Sequence, residues 1–251
     1  MKALITGASS GIGLEMAKYL ARQKCELILV ARNKEKLEEL QKTLPTKVKI
    51  IALDLSDIQM VKELYVLTKN DDIDILINNA GFGSCGYFED EPLSNDINMI
   101  KTNVIAVHML TKSFLKDMEK KNSGYILNVS SSAGFMPGGP LMATYYATKS
   151  YVYSLSNAIY HELKRKKSKV SISVLCPGPV KTNFNNVAHV KFSVKPMSAK
   201  EVAKEGIDGM FKKKLLIIPG TKMKLTKFFS RFVPTKALLS MTYKIQKRKM
   251  R

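Results

Sequence analysis

The chain has 251 residues, 45% of them hydrophobic, and a formal net charge of +20. That apolar content excludes a disordered chain, and the length suits one α/β domain with a sizeable core. No apolar run approaches the ~18 residues of a spanning helix, and the short apolar start Met1 to Ile5 runs into Gly7 rather than a signal-peptide cleavage site.

Elements follow in chain order. The run Met1 to Ile5 reads as a strand. Thr6-Gly7-Ala8-Ser9-Ser10-Gly11-Ile12-Gly13 then makes a glycine-rich turn, and Leu14, Ala17 and Leu20 recur at helical spacing. Strand, glycine turn and helix start together suit a pyrophosphate, because backbone can approach it and a helix N-terminus offers unpaired N–H groups. No G-K-[ST] follows, which argues against a P-loop hydrolase. Leu27 to Ala31 reads as a strand, Lys34 to Leu44 as a helix, Val48 to Leu53 as a strand and Asp57 to Leu67 as a helix. Ile73 to Ile77 is a strand ending in Asn78-Asn79-Ala80-Gly81, and Ser94 to Lys120 carries one long helical pattern. Tyr125 to Val129 (strand), Thr144 to Lys166 (helix), Val170 to Leu175 (strand), Ser198 to Phe211 (helix, with a Ser198–Glu201 capping box) and Leu215 to Ile218 (strand) complete the alternation. Such alternation implies an α/β fold, a doubly wound sheet of about seven parallel strands with helices on both faces. Ligands then lie beyond the carboxyl ends of the strands, where the glycine turn, the Asn-Asn-Ala-Gly turn, Ser131 and the Pro177-Gly178 turn should gather.

Tyr145 and Lys149 form Y-x-x-x-K, fourteen residues after Ser131. A reductase must hand a proton to a carbonyl oxygen near neutral pH, and a tyrosine with a pKa of about 10 does so poorly. A lysine one helical turn on favours the phenolate and should lower that pKa. Tyr146 is a second candidate acid, but Ser150 stands where its lysine would be. Cys25, Cys85 and Cys176 lack C-x-x-C spacing and read as reduced thiols of a cytoplasmic chain. His108, His161 and His189 do not cluster, so no metal is expected.

These motifs, in this order, resemble those of the short-chain dehydrogenase/reductase family over residues 1 to about 220: T-G-x-x-x-G-I-G at Thr6 to Gly13, N-N-A-G at Asn78 to Gly81, S-x-A-G at Ser131 to Gly134, Y-x-x-x-K at Tyr145 and Lys149, and P-G-x-V-x-T at Pro177 to Thr182. The resemblance implies a Rossmann-type fold and interconversion of a ketone or aldehyde with an alcohol by hydride transfer. It implies Tyr145 as general acid/base, Lys149 lowering its pKa and binding ribose, Ser131 bonding the developing alkoxide, and Asn103 holding a relay water. Ser131 keeps the motif place before Ala133-Gly134, although the family's usual thirteen-residue separation counts back to Ser132. It implies cofactor contacts at Gly7, Ser9, Ser10, Gly11, Ile12, Gly13, Asp54, Leu55, Asn79, Ala80, Gly81, Tyr145, Lys149, Pro177, Gly178, Val180 and Thr182, and an assembly of two or four copies through the Ser94 and Thr144 helices.

The second strand ends Ala31-Arg32-Asn33, without a carboxylate to repel a 2′-phosphate, and Arg32 is placed to pair with one. NADP(H) is therefore favoured over NAD(H). Residues 183–197 lack periodicity; the resemblance implies that such a segment caps the substrate, with Phe184, Val187, Val190, Phe192 and Val194 as an apolar wall, while ordinary anchoring of a loop is the other reading. Met136, Leu141 and Met142, together with Phe82, Cys85 and Tyr87, are candidates for the same cleft. Thirteen of the 41 lysines and arginines, and none of the 21 acids, fall within 212–251. Two basic amphipathic helices flanking Pro234 are expected in a 221–251 extension, beside a domain of 1–220. That extension either packs on the domain or a second copy, or touches an anionic membrane surface, so the chain could lie peripheral to a membrane. Nucleic acid is disfavoured, since charge alone argues for it. The alternative to an enzyme is an NADP(H)-binding regulator or membrane-associated scaffold with little turnover.

Overall fold

The structure is a computed structural model and describes residues 1–182 and 196–248. In chain order the elements are β1 (Lys2–Thr6), α1 (Gly11–Arg22), β2 (Glu26–Ala31), α2 (Lys34–Thr43), β3 (Val48–Ala52), α3 (Ile58–Thr68), β4 (Ile75–Asn78), α4 (Leu93–Ile100), α5 (Val107–Lys120), β5 (Tyr125–Val129), α6 (Ala143–Arg165), β6 (Ser171–Leu175), β7 (Val180–Lys181), β8 (Met197–Ser198), α7 (Ala199–Phe211), β9 (Leu216–Ile217), α8 (Thr221–Phe229) and α9 (Thr235–Lys247). Seven strands form one parallel sheet in the order β3-β2-β1-β4-β5-β6-β9, while β7 and β8 pair separately. The chain thus reverses direction across the sheet between β1 and β4, and this switch point opens the cleft.

The central strands are apolar at nearly every position because both faces are covered. Ala3, Ile5, Leu27, Leu29, Ile75 and Ile77 join one core with Met16 and Leu20 of α1 and Val202, Ile207 and Met210 of α7. Leu4, Ile28, Val30, Leu76 and Ile126 join the other, with Leu64 of α3, Phe114 of α5 and Leu163 of α6. Alternate residues serve opposite faces, so a one-residue slip would exchange the two sets and mispack both cores. Ser198 caps α7 and Glu201 reaches back, forming the expected capping box.

The long helical pattern is interrupted, contrary to its reading as one continuous helix. A π-helical turn, Lys101–Ala106, joins α4 to α5 and contains the fully buried Asn103. Asn103 uses its side chain to hold a neighbouring loop rather than to extend a surface stripe. The short β7–β8 pair also went unread, because two-residue strands carry no periodicity. Met197 and its pairing with Val180 are described, but Phe184, Val187, Val190, Phe192 and Val194 lie outside the described residues.

Candidate active site

The ends of β1, β4, β5 and β6 face a cleft of about 740 Å³. At its floor, Thr6 Oγ1 accepts from the Asn79 and Ala80 N–H groups (both 3.0 Å), and Asn79 Nδ2 donates to the Thr6 and Gly7 carbonyls (2.9 and 3.1 Å). This lattice brings the glycine turn against the Asn-Asn-Ala-Gly turn. Gly7 adopts φ +65°, and a Cβ there would lie 2.8 Å from Asn79 Nδ2. Ser10 makes no side-chain cap on α1, leaving the first-turn N–H groups to serve a ligand. A bare, positively polarised backbone cradle of this kind fits the pyrophosphate of a nicotinamide dinucleotide.

The cleft is lined by Gly7, Ser9, Ser10, Gly11, Ile12, Arg32, Asp54, Leu55, Asn79, Ala80, Gly81, Ser131, Tyr145, Lys149, Pro177, Gly178, Val180 and Thr182. Gly13 and Asn103 stand behind it. A Cβ on Gly13 would strike the Gly7 carbonyl and the Asn79 amide, so Gly13 supports the turn instead of touching a ligand. Gly13→Ala is expected to cost about 2 kcal/mol through this overpacking, lowering Tm by several degrees in a calorimetric scan. Asn103 accepts from Phe82 N–H (3.1 Å) and donates to Phe82 O (2.8 Å) and Thr148 Oγ1 (3.1 Å). Its amide therefore holds the cleft rim to α6.

Ser131 opens a short 3-10 turn (Ser132–Phe135), accepts from Ala133 N–H and hydrogen-bonds Tyr145. Ser132 also lines the cleft. Lys149, almost wholly buried, donates to the Val129 carbonyl at 3.0 Å and lies 5.9 Å from the centre of the Tyr145 ring. The expected downward shift of Tyr145 is not what the chain alone produces. Burial outweighs the Ser131 hydrogen bond and pushes the phenol up to about 12. Burial also brings the Lys149 ammonium down to about 8. The phenol is thus a fully protonated acid across the physiological range. Cys176, buried beside this pair, has its thiol pushed up to about 12 by burial, which makes it an unreactive wall.

Phe82 and Met142 line the cleft as expected, but Cys85, Tyr87, Met136 and Leu141 do not contribute to its lining. Tyr87 turns outward and bonds Tyr243 of α9 at 3.2 Å, and Leu141 is buried in its own loop at φ +66°. Several lining residues went unread, among them Lys36 and Gln246. Lys36 follows Asn33, whose side chain caps α2 at the Lys36 N–H. Its place five residues past the end of β2 was the available signal. Gln246 comes from α9, a hundred residues after the Tyr146 hydroxyl that its Nε2 meets at 2.8 Å. Its own Oε1 is buried without a hydrogen-bond partner.

Among the described residues no group of His, Cys, Asp and Glu is arranged to hold a metal, and no helix is long and apolar enough to cross a membrane. The short chain dehydrogenase family profile matches residues 1–191. Mouse 17-beta-hydroxysteroid dehydrogenase type 3 is 33% identical over 212 residues, covering 82% of this chain and 67% of that protein. Human very-long-chain 3-oxoacyl-CoA reductase is 33% identical over 172 residues, covering 65% of this chain and 55% of that protein. A short-chain dehydrogenase from Sphingobium yanoikuyae, solved in complex with NADPH, superposes with a TM-score of 0.82 at 27% identity over 95% of each chain. The chain belongs to the short-chain dehydrogenase family and is an NAD(P)-dependent oxidoreductase acting on CH–OH and C=O groups.

Proposed function

We propose that the chain is an NADPH-preferring reductase of apolar ketones or aldehydes, with Tyr145 as the proton donor. The observation that carries this reading is the joining of Tyr145, Ser131 and Lys149 in one cleft whose other end presents Arg32 and Lys36. A bound nicotinamide supplies the hydride. Tyr145 gives its phenolic proton to the carbonyl oxygen as that oxygen gains charge, while the Ser131 hydroxyl bonds the same oxygen. Lys149 stabilises the resulting phenolate and reaches the ribose. Since the Asn103 amide is committed to Phe82 and Thr148, a proton relay to solvent would use the backbone of the π-helical turn. Asp54 and Leu55 suit an adenine, and Thr182 a carboxamide.

The substrate end is apolar, with Phe82, Met142, Tyr146 and Val180. The two relatives named for steroid and very-long-chain 3-oxoacyl substrates support an apolar carbonyl compound. A panel of ketones, aldehydes and 3-oxoacyl thioesters, followed at the reduced-nicotinamide absorbance with NADPH and with NADH, tests the proposal. Tight cofactor binding without turnover across the panel would instead favour the regulator.

Cofactor choice rests on Arg32, whose side chain is 75% exposed and 4.0 Å from its acidic neighbour Asp54. Such an open pair is weak, which leaves the guanidinium available to a 2′-phosphate. Arg32→Glu is expected to lower NADPH kcat/KM by about a hundredfold while changing that for NADH by only a few-fold, reversing the preference. Equal losses with both cofactors would remove Arg32 from this role.

Gln246 forms part of the substrate wall. Gln246→Leu is expected to raise KM for the best panel substrate by about five- to tenfold, through the lost bond to Tyr146, with kcat and NADPH affinity nearly unchanged. A copy-to-copy contact is expected where Leu93, Ile97 and Ile100 of α4 and Tyr151 of α6 are exposed, and sedimentation velocity would report it.

A further inference from the structure

Helix α8 shows its apolar stripe to solvent. Leu225, Phe228 and Phe229, with Phe232 in the turn just after the helix, recur at i, i+3, i+4 and i+7, and all are more than half exposed, Phe232 at 72%. The helix is held in this orientation from the other side. Lys227 turns toward the body, donating to Tyr153 Oη at 2.5 Å with its ammonium 5.3 Å from the Phe135 ring centre. Met223 lies against Gly178. Helix α9 has the same two-sided character, with Leu238, Thr242 and Gln246 buried and Met241 and Ile245 exposed. Around these apolar residues stand exposed Lys222, Lys224, Arg231, Lys236, Lys244, Lys247 and Arg248, and no acidic residue occurs after Asp208.

We infer that α8 and α9 together form an anionic-lipid docking face, which seats the protein in the plane of a membrane surface with the substrate wall at its inner side. Apolar side chains ringed by cations match the interfacial layer, where rings sink among acyl chains and ammonium groups meet phosphate and carboxylate headgroups. A second copy is a poorer occupant. A two-fold contact through the stripe would bring two sets of these cations together, with no acid on α8 or α9 to offset them. A nucleic acid would satisfy the cations but leave the apolar stripe exposed to water. The inference does not depend on the reductase reading, because its readout is binding.

The test is flotation of the full chain with phosphatidylcholine vesicles and with equimolar phosphatidylcholine and phosphatidylserine vesicles. The expected result is recovery with the anionic vesicles alone. Replacing Phe228, Phe229 and Phe232 together by Ser, or Lys222, Lys224 and Arg231 together by Glu, should each weaken partitioning by about a hundredfold. Because these side chains are exposed, thermal melting and NADPH binding should be unchanged. Phe232→Asp provides a single-site version should the triple variants misfold. Absence of flotation would overturn the inference. So would serine variants that float as well as the parent, which would leave only polyanion attraction. So would a lipid-free dimer dissolved by the serine substitutions, which would assign the stripe to self-association.

Discussion

Replacing Tyr145 by Phe is expected to lower kcat by about a thousandfold, with NADPH affinity within a few-fold of the parent. General acid catalysis is worth about 10²–10⁴ in rate, and no neighbour can substitute. Tyr146 is the adjacent hydroxyl, but its ring stands at 76° to that of Tyr145, centres 6.2 Å apart, and its oxygen is held by Gln246. Phe retains the ring, so folding should be preserved, and single-turnover absorbance would separate the chemical step from binding. Retention of more than a tenth of the parent rate would remove Tyr145 from the acid role.

Lys149→Met should make the protein more stable at neutral pH while abolishing measurable turnover. Burial lowers the Lys149 pKa from 10.5 to about 8, which corresponds to roughly 3 kcal/mol spent on keeping the ammonium inside. The lost hydrogen bond to Val129 offsets about 1 kcal/mol of the gain, leaving a net of about 2 kcal/mol. Between pH 8 and 10.5 the unfolded parent binds more protons at Lys149 than the folded one, so Lys149's contribution to stability rises through that window. The advantage of the methionine variant should therefore shrink as pH rises from 8 and vanish before 10.5, where the lost hydrogen bond offsets the remaining burial cost. Tyr145 acts in the opposite sense above pH 10, where the unfolded phenol ionises first and stability falls. Denaturant titrations at pH 7 and pH 10 would measure the difference, and a variant less stable at pH 7 would contradict the burial cost.

Much of this was legible in the chain because the signals are local. The alternation of apolar runs and helical stripes from Lys2 to Ile217 followed from covering both sheet faces, and the spacing of Ser131, Tyr145 and Lys149 places all three at one strand end and one helix turn of the cleft. What escaped reading depends on distance. The sign of the Tyr145 shift is set by what surrounds the ring, which no spacing encodes. Gln246 looks like a polar residue on a basic helix until Tyr146 meets it. The π-helical turn follows from Asn103 reaching Phe82 across the rim. A buried chain of amides and hydroxyls, Asn78 to Thr111 and Asn128, and Asn128 to Ser156, ties β4 and β5 to α5 and α6 and could not be foreseen from polar residues in otherwise apolar runs.

The place of β1 bears on how the protein is made. Its Ala3-Leu4-Ile5 edge pairs with β2 on one side but waits for Ile75–Ile77 on the other. A ribosome adding about 5–20 residues per second leaves that edge bare for roughly 4–14 s. The Thr6–Asn79 bonds that close the cofactor cradle cannot form sooner. Until then the emerging chain presents an apolar, hydrogen-bond-hungry strand to solvent, before it has any site at all.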